Sequence, residues 1–192
     1  MFIRNHIIHG EKMIIKTSKS KKQHGLTLIE SLVVVGILLG IIAIALTLYG
    51  TVRDRLNVKN ESENISFIFS QVTDLFSDEQ TDDLKNQLAI DTGIFPKKMK
   101  ITGDKVFSSW DGQVAIKGKG GSSEFTLEYR RVPAGDVCVN LVRNQRKVGW
   151  NSVQIGSGSS IEYSSLKNTN LAKDCNPGTG DYVTITFEKT DS

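Results

Sequence analysis

Apolar positions in this chain first crowd together and only later alternate with polar ones. Between Leu26 and Tyr49 polar residues are few, and the 22 residues from Ser31 to Val52 carry no charge. No polar stripe interrupts this run, so it does not read as the core helix of a soluble domain. As a helix it extends roughly 33 Å, enough to cross a hydrocarbon core of about 30 Å. Further on, Val52, Leu56, Ile65, Ile68, Phe69, Val72, Leu75 and Phe76 recur at spacings of three, four or their sums. That pattern predicts an amphipathic helix continuing to residue 77 with one face on a globular domain. The polar stretch "NVKNESEN" between Leu56 and Ile65 leaves room for a local break.

Residues 78 to 112 carry charges and scattered Gly and Pro, and they read as a long loop with one short helix at Asp82 to Ala89. Strand patterns follow at Gln113 to Lys117 and at Glu124 to Val132, where Phe125, Leu127 and Tyr129 share a face. The intervening "GKGGSS" reads as a hairpin connection; it lacks the spacing of a phosphate-binding loop. Pro133 to Gly149 predicts a short helix with Asp136 as N-cap and Cys138, Leu141 and Val142 inward. Trp150 to Ile155 alternates as a strand, and Leu166 to Cys175 reads as another short helix. Tyr182 to Glu188 has the strongest strand pattern, with Val183, Ile185 and Phe187 on one face.

Charge orients this layout. Residues 1 to 25 have a net charge of +5 and the remainder −2. A basic N-terminal flank keeps that end cytoplasmic and places everything after about residue 52 across the membrane. Both cysteines, Cys138 and Cys175, lie on that side, where a disulfide is the default and two separate buried thiols the alternative. A bridge would close a loop of about 38 residues and contribute roughly 4 kcal/mol. His6, His9 and His24 all precede Leu26. The rest of the chain therefore has no Ser-His-Asp, Cys-His or His-ligated zinc chemistry. No catalytic residues, metal site or cofactor are expected, and no specific nucleic-acid partner. The carboxylates Asp78, Glu79, Asp82 and Asp83 lack an EF-hand arrangement. The clusters Lys97, Lys98, Lys100 and Arg143, Arg146, Lys147 read as solvated faces.

A secretory signal places small residues after its apolar region, whereas Gly25 precedes it here. The segment Gly25-Leu26-Thr27-Leu28-Ile29-Glu30, followed by the apolar run, resembles the signature of type IV pilins. The resemblance implies cleavage after Gly25 by a prepilin peptidase, N-methylation of Leu26, and Glu30 as the assembly residue. A carboxylate at the helix start sits at the positive end of the macrodipole yet remains costly in lipid. The α-amine of Leu26 in a neighbouring subunit would offset that cost and fix the stagger between subunits. Simple capping of the helix by Glu30 is the alternative. Gly36 and Gly40 form a G-x-x-x-G pair that serves either close helix packing or flexibility.

The second half is similar to the type IVb or thin-pilus group: Pro133, Cys138-x-x-Leu141-Val142, Trp150, Ala172-x-x-Cys175-Asn176 and the terminal "VTITF" strand. The implied fold is α+β, a long helix packed on an antiparallel sheet with a disulfide-closed C-terminal region. The implied organisation is a leader at 1–25, a transmembrane and filament-core helix at 26–52, its amphipathic continuation at 53–77 and a head at 78–192. Within that head, a loop at 78–112 precedes the sheet and disulfide region at 113–192. The implied partners are further pilin subunits, the prepilin peptidase, the assembly platform, the inner membrane before assembly, and a host-cell or bacterial surface receptor. A minor pilin or a pseudopilin of a type II secretion system would share the N-terminal mechanism. A single-span membrane enzyme or sensor is the competing reading from another class, and an intact Met1 would favour it.

Overall fold

The computed structural model describes residues 27–178 and 180–191. The chain divides into two compact units, Met1–Ile44 and Ala45–Ser192. Helix α1 (Leu28–Leu75) supplies the described part of the first and opens the second. In the first unit its apolar side chains are exposed all round; Leu28 is 80% and Leu39 61% exposed. This helix is long and apolar enough to cross a membrane.

In the second unit α1 becomes amphipathic. Val58, Ile65, Ile68, Val72 and Phe76 are buried at helical spacing. The helix runs through "NVKNESEN" without a break. The apolar stripe is missing there because Glu61 and Asn64 occupy its inward positions, and both are buried. Buried polar groups persist where hydrogen bonds satisfy them, and Glu61 is so satisfied.

The described strands form one antiparallel sheet in the order β1-β2-β3-β4-β7-β5-β6. They are β1 (Lys100–Thr102), β2 (Lys105–Phe107), β3 (Gln113–Gly118), β4 (Phe125–Pro133), β5 (Ser152–Ile155), β6 (Ile161–Glu162) and β7 (Tyr182–Lys189). One face buries Ile116, Leu127, Tyr129, Val153, Ile185 and Phe187. Phe69 of α1 packs its ring 5.9 Å from Phe125 and 4.8 Å from Trp150, and Trp150 lies 5.6 Å from Phe187. A Cβ on Gly149, at φ +121, would meet the Phe69 ring at 2.7 Å, so only glycine admits this approach.

Several elements differ from the sequence expectation. The segment 78–112 is not a plain loop. It holds α2 (Asn86–Asp91), four residues later than the helix expected at Asp82, and the β1–β2 hairpin. Those strands have three residues each, too few for alternation to declare them. Gly103, at φ +61, stands first in the two-residue turn between them, as a II′ turn requires. Asp136 does not cap α3 (Asp136–Asn144); Gly135 holds that position and Asp136 lies in the first turn. The expected inward residues Cys138, Leu141 and Val142 are all buried. A short 3-10 turn (Gln145–Lys147) follows, and α4 spans Asn168–Asp174.

Candidate assembly site

Thr27 and Glu30 form a reciprocal cap at the start of α1. The Thr27 backbone N–H donates to Glu30 Oε2 at 3.0 Å and its hydroxyl donates to the same oxygen at 3.1 Å. The Glu30 N–H donates in turn to Thr27 Oγ1 at 3.3 Å. This T-x-x-E arrangement is a capping box, which satisfies donors that a helix start leaves open. Glu30 remains exposed. Its other oxygen, Oε1, has no partner among the described residues. Capping and intermolecular pairing are therefore compatible: one oxygen holds the helix start while the other is left without a partner among the described residues. Gly25 and Leu26, the expected cleavage pair, lie outside the described residues.

Gly36 and Gly40 fall in the exposed part of the helix, where an added Cβ on either would meet nothing within 4 Å. The surrounding side chains, Val33, Val35, Ile37, Leu38, Leu39 and Ile41, are more than half exposed. So large an uncovered apolar surface marks a membrane or protein contact.

In the head, Cys138 of α3 and Cys175 just after α4 form a disulfide with Cα atoms 5.6 Å apart. Both are fully buried. The Gly135 N–H donates to the Cys175 carbonyl at 2.7 Å, so the bridge and a backbone bond fasten the C-terminal region at the same point.

Sequence reasoning missed a buried polar cluster on α1. Glu61 is 1% exposed. Its Oε1 accepts from the Ser109 N–H at 2.7 Å and from the Ser109 hydroxyl at 2.6 Å, while Oε2 accepts from Asn64 Nδ2 at 3.1 Å. Burial pushes the nearby Tyr129 hydroxyl well above the ordinary phenol range, and the Glu61 carboxylate pushes it the same way. The available signal was the missing apolar stripe at residues 57–64. Among the described residues no group of three or more His, Cys, Asp or Glu side chains is placed to hold a metal ion.

Comparison with known proteins agrees with this geometry. The family model described as PilS N terminal matches residues 55–189. The structure is similar to the crystal structure of the type IVb pilin from Salmonella typhi. That likeness has a TM-score of 0.53 and 19% sequence identity, over 67% of this chain and 97% of the other. No curated protein sequence matches the chain significantly. The matched region is the whole helix-on-sheet head, with its disulfide in place. The chain belongs to the PilS family, and it is a type IV pilin, a structural subunit that polymerises with other pilins, with the type IVb pilin fold and no enzymatic role.

Proposed function

We propose that the chain is made as a precursor whose basic leader, residues 1–25, is removed after Gly25 by a prepilin peptidase, and that the new N-terminus at Leu26 is then methylated. The precursor sits in the inner membrane with its N-terminus cytoplasmic and residues 26–52 spanning the bilayer. Residues 53–77 carry the helix into the head, 78–192. An assembly platform extracts the subunit into a filament at the cell surface, which serves adhesion, aggregation, conjugation or motility through a surface receptor. In the filament the apolar helices pack together, with Gly36 and Gly40 permitting close approach.

The observation that carries this reading is the unshared oxygen of Glu30, the first charge of the exposed apolar helix. Removing that helix from lipid into a bundle keeps its apolar surface dry. A lone carboxylate in the same bundle is costly until a cation meets it. The protonated amine of a neighbour's Leu26 is a cation of the right sign at the right depth, and methylation leaves it protonatable. Hydrophobic packing alone permits sliding, whereas the ion pair defines one stagger.

Two measurements test the proposal. Mass spectrometry of the mature chain should find an N-terminal methylated Leu26; a chain still beginning at Met1 refutes the processing. Glu30→Ala should be processed normally and accumulate in the membrane, with sheared filaments lost. Wild-type filament yield from that variant refutes the pairing role.

A further inference from the structure

The bulge in β4 leaves one cation and one aromatic ring exposed together. Between the pairs Tyr129↔Ile185 and Val132↔Val183, β4 uses two residues, Arg130 and Arg131, where β7 uses one. Such bulges re-aim side chains. Arg131 has φ 54, in the left-handed region that side-chain-bearing residues avoid. The turn at Asp111, also at φ 54, rests against it. A Cβ on Gly112 would lie 1.7 Å from the Arg130 carbonyl oxygen. The fold thus over-determines this bulge, and strain so held is a reason to look for a function.

The Arg131 guanidinium lies over the Tyr182 ring, 5.1 Å from its centroid, and Tyr182 is 49% exposed. Arg130 is paired with Glu128 and Lys100 with Asp111, whereas Arg131 has no ion pair among the described residues. Stacking leaves the edge of a guanidinium free to donate to carboxylates. Arg and Tyr are also the side chains that most often anchor protein interfaces, and an already ordered pair loses little entropy on docking.

The other end of β4 has the opposite character. The Thr81 N–H donates to the Ser122 carbonyl at 2.9 Å, which fixes the segment after α1 beside the start of β4. That segment carries the exposed carboxylates Asp78, Glu79, Asp82 and Asp83. None of them has an ion pair among the described residues; Asp82 accepts only the Gly121 N–H, at 2.6 Å. From Phe125 to Arg131 the strand covers about 20 Å, so the two patches lie near opposite ends of β4.

We infer that the Arg131–Tyr182 pair of one copy docks on the Asp78–Asp83 segment of the next copy. This rests on the filament reading above. The two surfaces differ, so the contact is heterologous; it need not close on itself and can repeat along a filament. Each copy offers one patch of each kind, so every interior subunit makes this contact twice.

Charge reversal in the full-length chain tests the contact, read as sheared filament yield. Arg131→Glu and, separately, the pair Asp82→Lys and Asp83→Lys should each cut the yield by about tenfold or more. Combining all three should restore it. A photo-reactive p-benzoylphenylalanine at Tyr182, with Arg131 unchanged, should give covalent dimers whose cross-link maps to residues 77–84 of the second copy. Wild-type yield from both reversals, absence of rescue, or cross-links confined to other segments overturns this contact alone. A wild-type chain that forms no filaments overturns the filament reading as well.

Discussion

Glu61 on α1 accepts both the backbone N–H and the hydroxyl of Ser109, 48 residues later, at 2.7 and 2.6 Å. The helix that runs on from the apolar segment is therefore fastened to the sheet by a buried carboxylate as well as by apolar packing. Truncating Glu61 leaves the Ser109 donors and Asn64 Nδ2 without their acceptor. Glu61→Ala should lower the unfolding free energy by about 3 kcal/mol, whereas Glu61→Gln keeps an acceptor and should lose less. Glu63 is half exposed and pairs with Lys98 at 3.5 Å; Glu63→Ala should change stability by less than about 0.5 kcal/mol. Denaturant unfolding of the detergent-solubilised chain measures all three.

Gly112 has no room for a side chain, because its neighbour is backbone. With the Arg130 carbonyl oxygen 1.7 Å from an ideal Cβ, Gly112→Ala must displace the bulge. The expected loss exceeds about 3 kcal/mol, in the upper range for single substitutions. Gly121 sits at φ +73 in open space, and Gly121→Ala should cost only about 1 kcal/mol of left-handed strain. Equal losses in the two unfolding curves would contradict this assignment.

The Cys138–Cys175 bridge restricts the unfolded chain over 37 residues of separation. Replacing both cysteines by serine should lower stability by roughly 4 kcal/mol, which is about 10 °C in Tm for a domain of this size. Reductant should lower the Tm of the wild type and leave the double variant unchanged. A wild type indifferent to reductant would show that the bridge does not hold the head.

The C-terminal tether gives a pH window. Hydrogen bonds from Ser123 hold the Asp191 carboxyl below its ordinary 3.8, and Lys119 holds Glu124 below its ordinary 4.5. The hydrogen bond from its side chain to Glu124 raises Lys119 above its ordinary 10.5. Depressed carboxyls stabilise the fold above their unfolded values and lose that contribution as pH falls through the folded ones. The raised amine stabilises it below 10.5 and loses that contribution as pH rises past its folded value. The tether between the β3–β4 connection and the C-terminus should thus be complete from about pH 5 to about pH 10. By NMR, the Asp191 carboxyl carbon should titrate below 3.8, and Ser123→Ala should move that midpoint up. An unmoved midpoint would remove Ser123 as the cause.

Much of this molecule is written in local pattern. The uncharged run to Val52, the stripe Ile65, Ile68, Val72 and Phe76, and the alternation in β4 and β7 fixed helix, strand and buried face. Each depends on the periodicity of a few successive residues. The pairing of Cys138 with Cys175 was legible because the chain has no other cysteine. Only the tertiary structure decided that Glu61 and Asn64 face inward, that β4 lies beside β7, that Gly112 must be bare, and that Arg131 turns outward on Tyr182. Those outcomes depend on groups far apart in the chain, such as Ser109 under Glu61 and the Arg130 carbonyl over Gly112. A pattern reports which face meets other atoms, but which atoms they are is settled when the chain closes on itself.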